Sequence, residues 1–201
     1  MTKHVGIYVF DEVEVLDFAG PFEVFSTASR VALRGQPGSA PPFSVTLVAD
    51  VARAVRARGG LCVVCNASFE AHRAFDVLVV PGGEVSAELE RAPVLEWIGR
   101  TARSASLTSS VCTGAFLLAA AGLLDGRRAT THWEDLGDLR ARFPAVRVEG
   151  GAPWIDEGDI VTSAGISAGL DMSLHLVARL AGAELAERTA RQMDYVWRRA
   201  R

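Results

Sequence analysis

Short runs of β-branched and aliphatic residues alternate along the chain with longer segments whose apolar positions recur at helical spacing. The runs predict strands at Val5–Phe10, Ser44–Ala49, Leu61–Cys65, Val77–Val80, Ser106–Val111, Val146–Glu149 and Ile160–Ser163. The longer segments predict helices at Pro21–Arg34, Val85–Ala102, Thr113–Leu124, His132–Phe143, Ser167–Leu180 and Glu184–Arg198. Strands such as Val77–Val80 are apolar on both faces, so we expect helices to cover a parallel sheet on each side.

This alternation predicts an α/β fold, a three-layer sandwich with a mostly parallel central sheet, formed by residues 1–201 as a single domain. Some boundaries have their own signals. Gly20-Pro21 predicts a helix that begins with proline in its first turn, while Gly35 and Gly126 stand where helices commonly end. Composition predicts a loop at Gly35–Pro42.

Composition and charge narrow the class of protein. The 201 residues are 49% hydrophobic and 22% charged, which is typical of a globular protein and excludes a disordered or fibrous chain. A formal net charge of −3 gives no attraction to nucleic acid or anionic lipid. The amino terminus lacks the features of a signal peptide, and the longest apolar stretch, Ala115–Leu124, is too short to cross a membrane. Three cysteines, an odd number, suit a reducing cytoplasm.

The places where strands end are the ones to inspect for chemistry, because ligands of open α/β sheets bind beyond the carboxyl ends of the strands. Four such places carry unusual residues: Asp17, Pro81-Gly82-Gly83, Cys112-Thr113-Gly114 and Gly165-Ile166. We expect these four segments to lie around one crevice that binds a small molecule.

Cys112 stands between a predicted strand and a predicted helix with no loop between them. Such a junction resembles a nucleophile elbow, in which a strained turn exposes the side chain above the sheet. The helix amino terminus would favour thiolate over thiol, so we expect Cys112 to be exposed, acidic and alkylated before Cys62 and Cys65. The alternative is a small buried hydrophobic residue.

The other candidates have plainer alternatives. Pro81-Gly82-Gly83 can point backbone N–H groups at a developing negative charge, or it can be a turn. Asp17 can be a general acid or base, or a solvated carboxylate near a helix start. His132 can orient or deprotonate a neighbouring group, or it can be structural.

Two features imitate metal or redox sites. Cys62-Val63-Val64-Cys65 reads as C-x-x-C, but residues three apart in a strand point to opposite faces and lie about 10 Å apart, too far for a disulfide. The histidines are scattered without ligand spacing. We therefore predict no metal site.

Three motifs carry a resemblance to a known superfamily: Pro81-Gly82-Gly83, Ser110-Val111-Cys112-Thr113-Gly114 and Ala129-Thr130-Thr131-His132-Trp133. Together they resemble the ThiJ/PfpI superfamily, whose fold is class I glutamine amidotransferase-like, over nearly the whole chain. The run Phe10–Val24 and the segment Gly165–Gly169 most resemble the isonitrile hydratase branch. Similar blocks also occur in the ligand domains of AraC-type regulators.

The resemblance implies a role for each candidate. Cys112 matches the elbow cysteine of the superfamily, and Asp17 matches the hydratase carboxylate that hydrogen-bonds near it. The backbone N–H groups of Gly82, Gly83 and Thr113 would face the reacting centre. Ile166 would line the pocket, while His132 stands at the superfamily's histidine position with its role left open. The resemblance also implies a homodimer.

The chemistry implied by this branch is the hydration of an isonitrile, R–N≡C, to an N-substituted formamide, with no metal or organic cofactor. Cys112 would attack carbon, and Asp17 would shuttle protons. Two alternatives remain open: a non-catalytic ligand-sensing domain that keeps the fold, and an amidase or glyoxalase-type cysteine hydrolase.

Overall fold

The structure, a computed structural model, describes residues 1–35, 38–51, 53–65 and 67–199. Its strands are β1 Lys3–Tyr8, β2 Phe43–Ala49, β3 Ala54–Arg56, β4 Cys62–Val64, β5 Ala67–Ser68, β6 Val77–Val80, β7 Leu107–Val111, β8 Arg128–Ala129, β9 Arg147–Val148, β10 Trp154–Asp156 and β11 Ile160–Ser163. Its helices are α1 Val15–Gly35, α2 Ser86–Leu89, α3 Ala92–Ser104, α4 Gly114–Ala120, α5 Leu136–Arg142, α6 Ala168–Ala181 and α7 Ala183–Gln192.

A seven-stranded sheet forms the middle layer, in the order β10-β11-β7-β6-β1-β2-β5. Every neighbouring pair is parallel except β10 and β11, which run antiparallel at one edge. One group of packed helices contains α1, α6 and α7, and another contains α2, α3 and α4. The α/β class with a mostly parallel central sheet flanked by helices is confirmed.

The centre of the sheet is fully buried. All four residues of β6 are buried, and so are all five residues of β7. Each fully buried aliphatic side chain contributes roughly 1.5–3 kcal/mol to folding, so these two adjacent strands form a rigid platform. Polar Thr108, Ser109 and Ser110 are buried within it, and the Ser109 hydroxyl donates to the carbonyl of Leu78 at 3.3 Å. Because β7 leads directly into the turn at Cys112, the platform fixes the position of that residue.

The first helix begins earlier than predicted. The sequence placed its start at Pro21, but α1 begins at Val15 and contains Pro21 in its interior. A proline there removes the helical hydrogen bond to the carbonyl four residues earlier, that of Asp17. The helix tolerates the loss, and the longer α1 carries Asp17 in its first turn.

Other predicted elements are shortened or divided. The helix predicted at Val85–Ala102 is split into α2 and α3, because Pro93 cannot continue a helix and instead stands near the start of α3. The helix expected to end near Gly126 ends at Ala120, and Gly126 precedes β8. The helix predicted to reach Arg198 ends at Gln192.

The predicted strands at Leu61–Cys65 and Val146–Glu149 lie outside the main sheet. β4 pairs with β3 as an antiparallel hairpin, and β9 pairs with β8. The short strands β3, β5, β8 and β10, of two or three residues each, were not predicted. The predicted loop Gly35–Pro42 includes residues 36 and 37, which lie outside the described residues. Among the described residues, no helix is long and apolar enough to cross a membrane.

Candidate active site

The turn at Cys112 has the backbone of a nucleophile elbow. Cys112 has φ 55°, the left-handed region that a residue with a side chain rarely adopts. Its N–H donates to the carbonyl of Ser163 at 3.2 Å, and its carbonyl accepts from the Thr131 hydroxyl at 2.8 Å. Such a conformation costs about 1–3 kcal/mol and persists because the surrounding contacts enforce it. The strained backbone of the predicted elbow is therefore present.

Two glycines let the elbow pack closely on the turn that follows β6. A Cβ atom at Gly114 would lie 2.1 Å from the carbonyl oxygen of Val80, and one at Gly82 would lie 2.5 Å from the hydroxyl oxygen of Thr113. No side chain fits at either position without moving backbone. The Pro81-Gly82-Gly83 turn and the Cys112-Thr113-Gly114 elbow consequently form one interlocked unit.

Thr113 connects the two turns through its side chain. Its hydroxyl donates to the carbonyl of Gly83 at 2.9 Å and accepts from the N–H of Gly83 at 2.9 Å. The N–H of Gly82 donates to Asp17 Oδ2 at 3.1 Å. Sequence reasoning assigned the Gly82 and Gly83 N–H groups to the reacting centre, but both are already engaged inside the site. These two glycines position Asp17 and Thr113 instead.

Asp17 is fully buried, although it was a candidate for a solvated loop carboxylate. Its Oδ2 accepts a hydrogen bond from the Gly82 N–H. Its Oδ1 is buried, and no donor among the described residues lies in hydrogen-bonding geometry to it. Burial raises the pKa of Asp17 from 3.8 to about 7, and the nearby Glu14 carboxylate adds to the rise. The hydrogen bond from the Gly82 N–H lowers this pKa, and a smaller lowering comes from the Cys112 thiol. The structure thus brings Asp17 and Cys112 together from distant parts of the chain.

The Cys112 thiol is neither exposed nor acidic, which corrects the expectation from the sequence. The residue is 8% exposed, and burial raises the pKa of its thiol to about 12, with a further rise from the Asp17 carboxylate. The backbone N–H groups of Thr113 and Ile166 donate toward the sulfur and lower the pKa, but they do not outweigh burial. Near pH 7 the pair is therefore a protonated thiol beside a carboxyl group that is close to half ionised.

Because the two groups interact, their protons belong to the pair. As pH rises, the pair loses its first proton with a pKa of about 7, the raised pKa of Asp17. It loses its second proton with a pKa of about 12, the raised pKa of Cys112. Near pH 7 the site can accept one proton and donate another. That is the property required of a group that activates a thiol and returns its proton.

Ile166 lies beside the elbow, on the turn that connects β11 to α6. Its φ is 45°, a second left-handed conformation at the site, and its side chain is 38% exposed. A Cβ atom at the preceding Gly165 would lie 2.0 Å from His132 Cδ2, so only glycine fits there. Ile166 contributes an N–H toward the sulfur and an apolar side chain at the surface of the site.

His132 contacts acidic residues and Gly165. Its Nδ1 accepts from the N–H of Glu134 at 3.4 Å and lies 3.5 Å from Asp135 Oδ2. Asp135 contributes a small rise to the pKa of Cys112. The structure gives the Nδ1 edge of the ring to acidic residues and the other edge to Gly165, an arrangement unlike a cysteine–histidine base pair.

Sequence reasoning missed several contributors. Glu14 immediately precedes α1 and lies three residues before Asp17, so this spacing was an available signal for its influence on Asp17. Arg58, whose Nη1 lies 3.5 Å from Glu14 Oε2, lies in the turn between β3 and β4, and no local pattern pointed to it. Thr131, which holds the elbow carbonyl, belonged to a quoted motif without receiving a role.

The two cysteines of the C-x-x-C segment lie in different environments. All three cysteines are free; Cys62 is exposed and Cys65 is buried. Among the described residues, no group of three or more His, Cys, Asp or Glu side chains is arranged to hold a metal ion.

An α/β sheet with a strained cysteine elbow and a buried carboxylate beside the thiol defines a recognisable class of protein. The model of the DJ-1/PfpI family matches residues 3–179. The chain therefore belongs to the DJ-1/PfpI family, which confirms the resemblance noted in the sequence.

Three relatives indicate the range of this family. The isonitrile hydratase of Pseudomonas putida is 34% identical over 97% of this chain and 79% of its own length. The transcriptional regulator GbdR of Pseudomonas aeruginosa is 34% identical over 96% of this chain, which spans 51% of the regulator. A crystal structure of a ThiJ/PfpI family protein from Pseudomonas syringae superposes with a TM-score of 0.84 at 29% identity, covering 97% of this chain and 76% of that one.

Proposed function

We propose that this protein hydrates small isonitriles to N-substituted formamides, with Cys112 as nucleophile and Asp17 as proton carrier. The observation that carries the proposal is the buried Asp17 carboxyl, whose Oδ1 has no complete hydrogen bond and whose neighbour is the elbow thiol. Buried carboxylates with an unsatisfied oxygen are rare because they are costly, and they concentrate where proton transfer is needed.

In the first step, the Cys112 sulfur attacks the terminal carbon of R–N≡C while its proton passes to Asp17. Asp17 then delivers that proton to the same carbon. One C–S bond and one C–H bond form, and the S–H bond breaks, which gives the thioimidate R–N=CH–S–Cys112. Nucleophilic catalysis of this kind divides a difficult hydration into two easier steps.

In the second step, water adds to the carbon of the thioimidate. Asp17 accepts one proton from the water and delivers it to the nitrogen, which gives R–NH–CH(OH)–S–Cys112. As the C–S bond breaks and the C=O bond forms, the remaining hydroxyl proton passes through Asp17 to the departing sulfur. The products are R–NH–CHO and the Cys112 thiol, so the overall reaction consumes one isonitrile and one water with no change in oxidation state. The pKa of about 7 at Asp17 suits a group that must accept and donate protons in alternation.

The rest of the site suits this chemistry. The N–H groups of Thr113 and Ile166 point toward the sulfur, where they can stabilise negative charge as attack begins or as the thiolate leaves. A partly exposed Ile166 side chain offers an apolar surface to the substituent of the isonitrile. His132 stands outside the proton path, which disfavours a cysteine–histidine hydrolase.

A second candidate function is a ligand-binding domain without turnover. It is favoured by the similarity to GbdR, a regulator, over nearly the whole chain, and by the burial of Cys112 with a raised pKa. In that case the elbow would bind or sense a small molecule, and the regulatory output would come from a partner.

The deciding experiment is a turnover assay on isonitriles, methylglyoxal and simple amides with wild type and Cys112→Ala. We expect formamide production from isonitriles by wild type and no production by Cys112→Ala, because the covalent route requires the sulfur. Turnover of methylglyoxal or amides alone would select the hydrolase alternative. Tight binding of a small molecule with no product from any substrate would select the regulatory alternative.

A further inference from the structure

The turn between β3 and β4 packs against the segment that leads into α1. The Arg58 N–H donates to the carbonyl of Val13 at 3.0 Å. The Glu12 N–H donates to the carbonyl of Arg56 at 2.8 Å. The Arg58 side chain adds an ion pair, with Nη1 lying 3.5 Å from Glu14 Oε2. Backbone hydrogen bonds therefore hold the turn in place, and the guanidinium of Arg58 lies beside the carboxylate of Glu14.

Glu14 is joined to Asp17 by a closed ring of three hydrogen bonds. The Glu14 N–H donates to the Gly82 carbonyl at 2.9 Å, and the Gly82 N–H donates to Asp17 Oδ2 at 3.1 Å. The Asp17 N–H completes the ring by donating to the Glu14 carbonyl at 3.1 Å. The backbone around the ring is closely packed, since a Cβ atom at Gly83 would lie 2.6 Å from the Glu14 nitrogen. The turn that holds the Asp17 carboxylate therefore also holds Glu14 next to it.

The side chains of Glu14 and Arg58 place opposite charges outside a buried carboxyl. Asp17 is fully buried, whereas the side chains of Glu14 and Arg58 are 24% and 54% exposed. Residues three apart at the start of a helix are neighbours, so the carboxylates of Glu14 and Asp17 repel each other when both are ionised. The Arg58 guanidinium opposes this repulsion. After burial, which gives the largest rise in the pKa of Asp17, Glu14 raises this pKa further and Arg58 lowers it.

The other groups that act strongly on Asp17 carry no charge near pH 7. The Gly82 N–H is neutral, and the Cys112 thiol remains protonated because its pKa is raised to about 12. Among the groups with the largest effect on Asp17, Glu14 and Arg58 are therefore the charged side chains.

We propose that Glu14 and Arg58 are positioning residues for the proton carrier, an ion pair outside the buried site that sets the pH at which Asp17 takes up and releases its proton. They act through Asp17 and take no proton themselves. The inference rests on the proposed function in taking Asp17 as the proton carrier. It concerns the ionisation of one carboxyl, so it can be tested without turnover.

The test is an NMR titration of Asp17 in protein labelled with ¹³C at the aspartate carboxyl carbons, with the signal assigned by its loss in Asp17→Asn. Wild type should show a midpoint near the pKa of about 7. Arg58→Ala removes the compensating cation and should raise the midpoint by about half a pH unit. Glu14→Gln removes the repelling anion and should lower it by about as much. The double variant should lie between the two single variants, because the lost charges have opposite signs.

Arg53→Ala is the matched control. Arg53 belongs to the same hairpin region, immediately before β3, but its Nη2 pairs with Asp11 Oδ2 at 2.9 Å instead of with Glu14. Its removal should leave the midpoint unchanged. Arg58→Lys, which keeps a cation beside Glu14, should also titrate like wild type. The backbone N–H of Arg58 survives both substitutions at this position, so the hydrogen bond to Val13 is retained.

An unchanged midpoint in Glu14→Gln would overturn the proposal, and so would equal shifts in Arg58→Ala and Arg53→Ala. A double variant that titrates like Arg58→Ala would also overturn it, because removal of the Glu14 charge would then have no effect. None of these outcomes bears on isonitrile turnover by wild type, so failure of this inference is distinct from failure of the proposed function.

Discussion

Two carboxylates, Asp17 and Asp171, are completely buried in the first turns of α1 and α6, yet their surroundings differ. Asp171 accepts two hydrogen bonds from Arg198, one to each oxygen, and forms an ion pair with it. Asp17 accepts one backbone hydrogen bond at Oδ2, and its Oδ1 has no complete hydrogen bond among the described residues. The two carboxylates are therefore equally buried, but both oxygens of Asp171 are hydrogen-bonded and only one oxygen of Asp17 is.

The difference distinguishes a structural carboxylate from a reactive one. A paired buried charge holds two segments together, and its loss weakens the fold. An unpaired one destabilises the fold and is retained only where its chemistry is useful. On this reasoning, substitution of Asp17 should harm activity and improve stability, whereas substitution of Asp171 should harm stability.

The largest expected effect is on turnover by Asp17→Asn. The amide keeps the shape and can still accept the Gly82 N–H, but it cannot carry a proton, so we expect isonitrile hydration to fall by about 10²–10⁴-fold. Steady-state assays beside wild type and Cys112→Ala measure the loss. If Asp17→Asn retained nearly full activity, the distinction between the two carboxylates would have no functional meaning.

The two asparagine variants should move stability in opposite directions at pH 8. Because the folded pKa of Asp17 is raised from 3.8 to about 7, its ionisation weakens the fold as pH rises through this interval. At about 1.4 kcal/mol per pKa unit, Asp17→Asn should raise the free energy of unfolding by up to about 4 kcal/mol above pH 7. The gain should vanish below about pH 4.

Asp171→Asn should instead lower the free energy of unfolding by about 1–3 kcal/mol, because the amide turns a donor toward Arg198. Urea unfolding at pH 4, 6 and 8 measures both variants against wild type. The same sign of change for both variants at pH 8 would remove the basis of the comparison.

The smallest expected effect is that of His132→Ala on turnover, less than about tenfold. The imidazole contacts Glu134 and Asp135, and the proposed mechanism gives it no part in the proton transfer between Cys112 and Asp17. The kcat and KM of His132→Ala are compared with those of Asp17→Asn in the same assay. A loss as large as that of Cys112→Ala, with a mild effect of Asp17→Asn, would make a cysteine–histidine hydrolase the better account.

Much of the fold was predictable because local pattern and tertiary environment agree there. The strands at Val77–Val80 and Ile160–Ser163 have their predicted bounds. Val77–Val80 is a continuous apolar run, the pattern expected of a buried central strand. The elbow was predictable because strand and helix signals meet at Cys112. The start of α1 was not, because Pro21 is a strong local signal that tertiary contacts override.

The electrostatics of the site were not predictable from the sequence. A thiol at a helix start suggests a low pKa, but the desolvation of Cys112 and the charge of Asp17 depend on packing between distant segments. The same packing leaves Cys62 exposed and Cys112 buried, whereas the sequence predicted an exposed Cys112. The hydrogen bonds of the Gly82 and Gly83 N–H groups likewise depend on distant side chains. Asp17 is 65 residues from Gly82, and Thr113 is 30 residues from Gly83.

The pH dependence of isonitrile hydration tests the central claim, that Asp17 activates the Cys112 thiol by accepting its proton. In wild type, kcat/KM should rise with pH and level off with a midpoint near the Asp17 pKa of about 7, because only the ionised carboxylate can accept the proton. In Asp17→Asn that limb should disappear along with most of the rate. An unchanged midpoint in Asp17→Asn would contradict the account, because another group would then be the base.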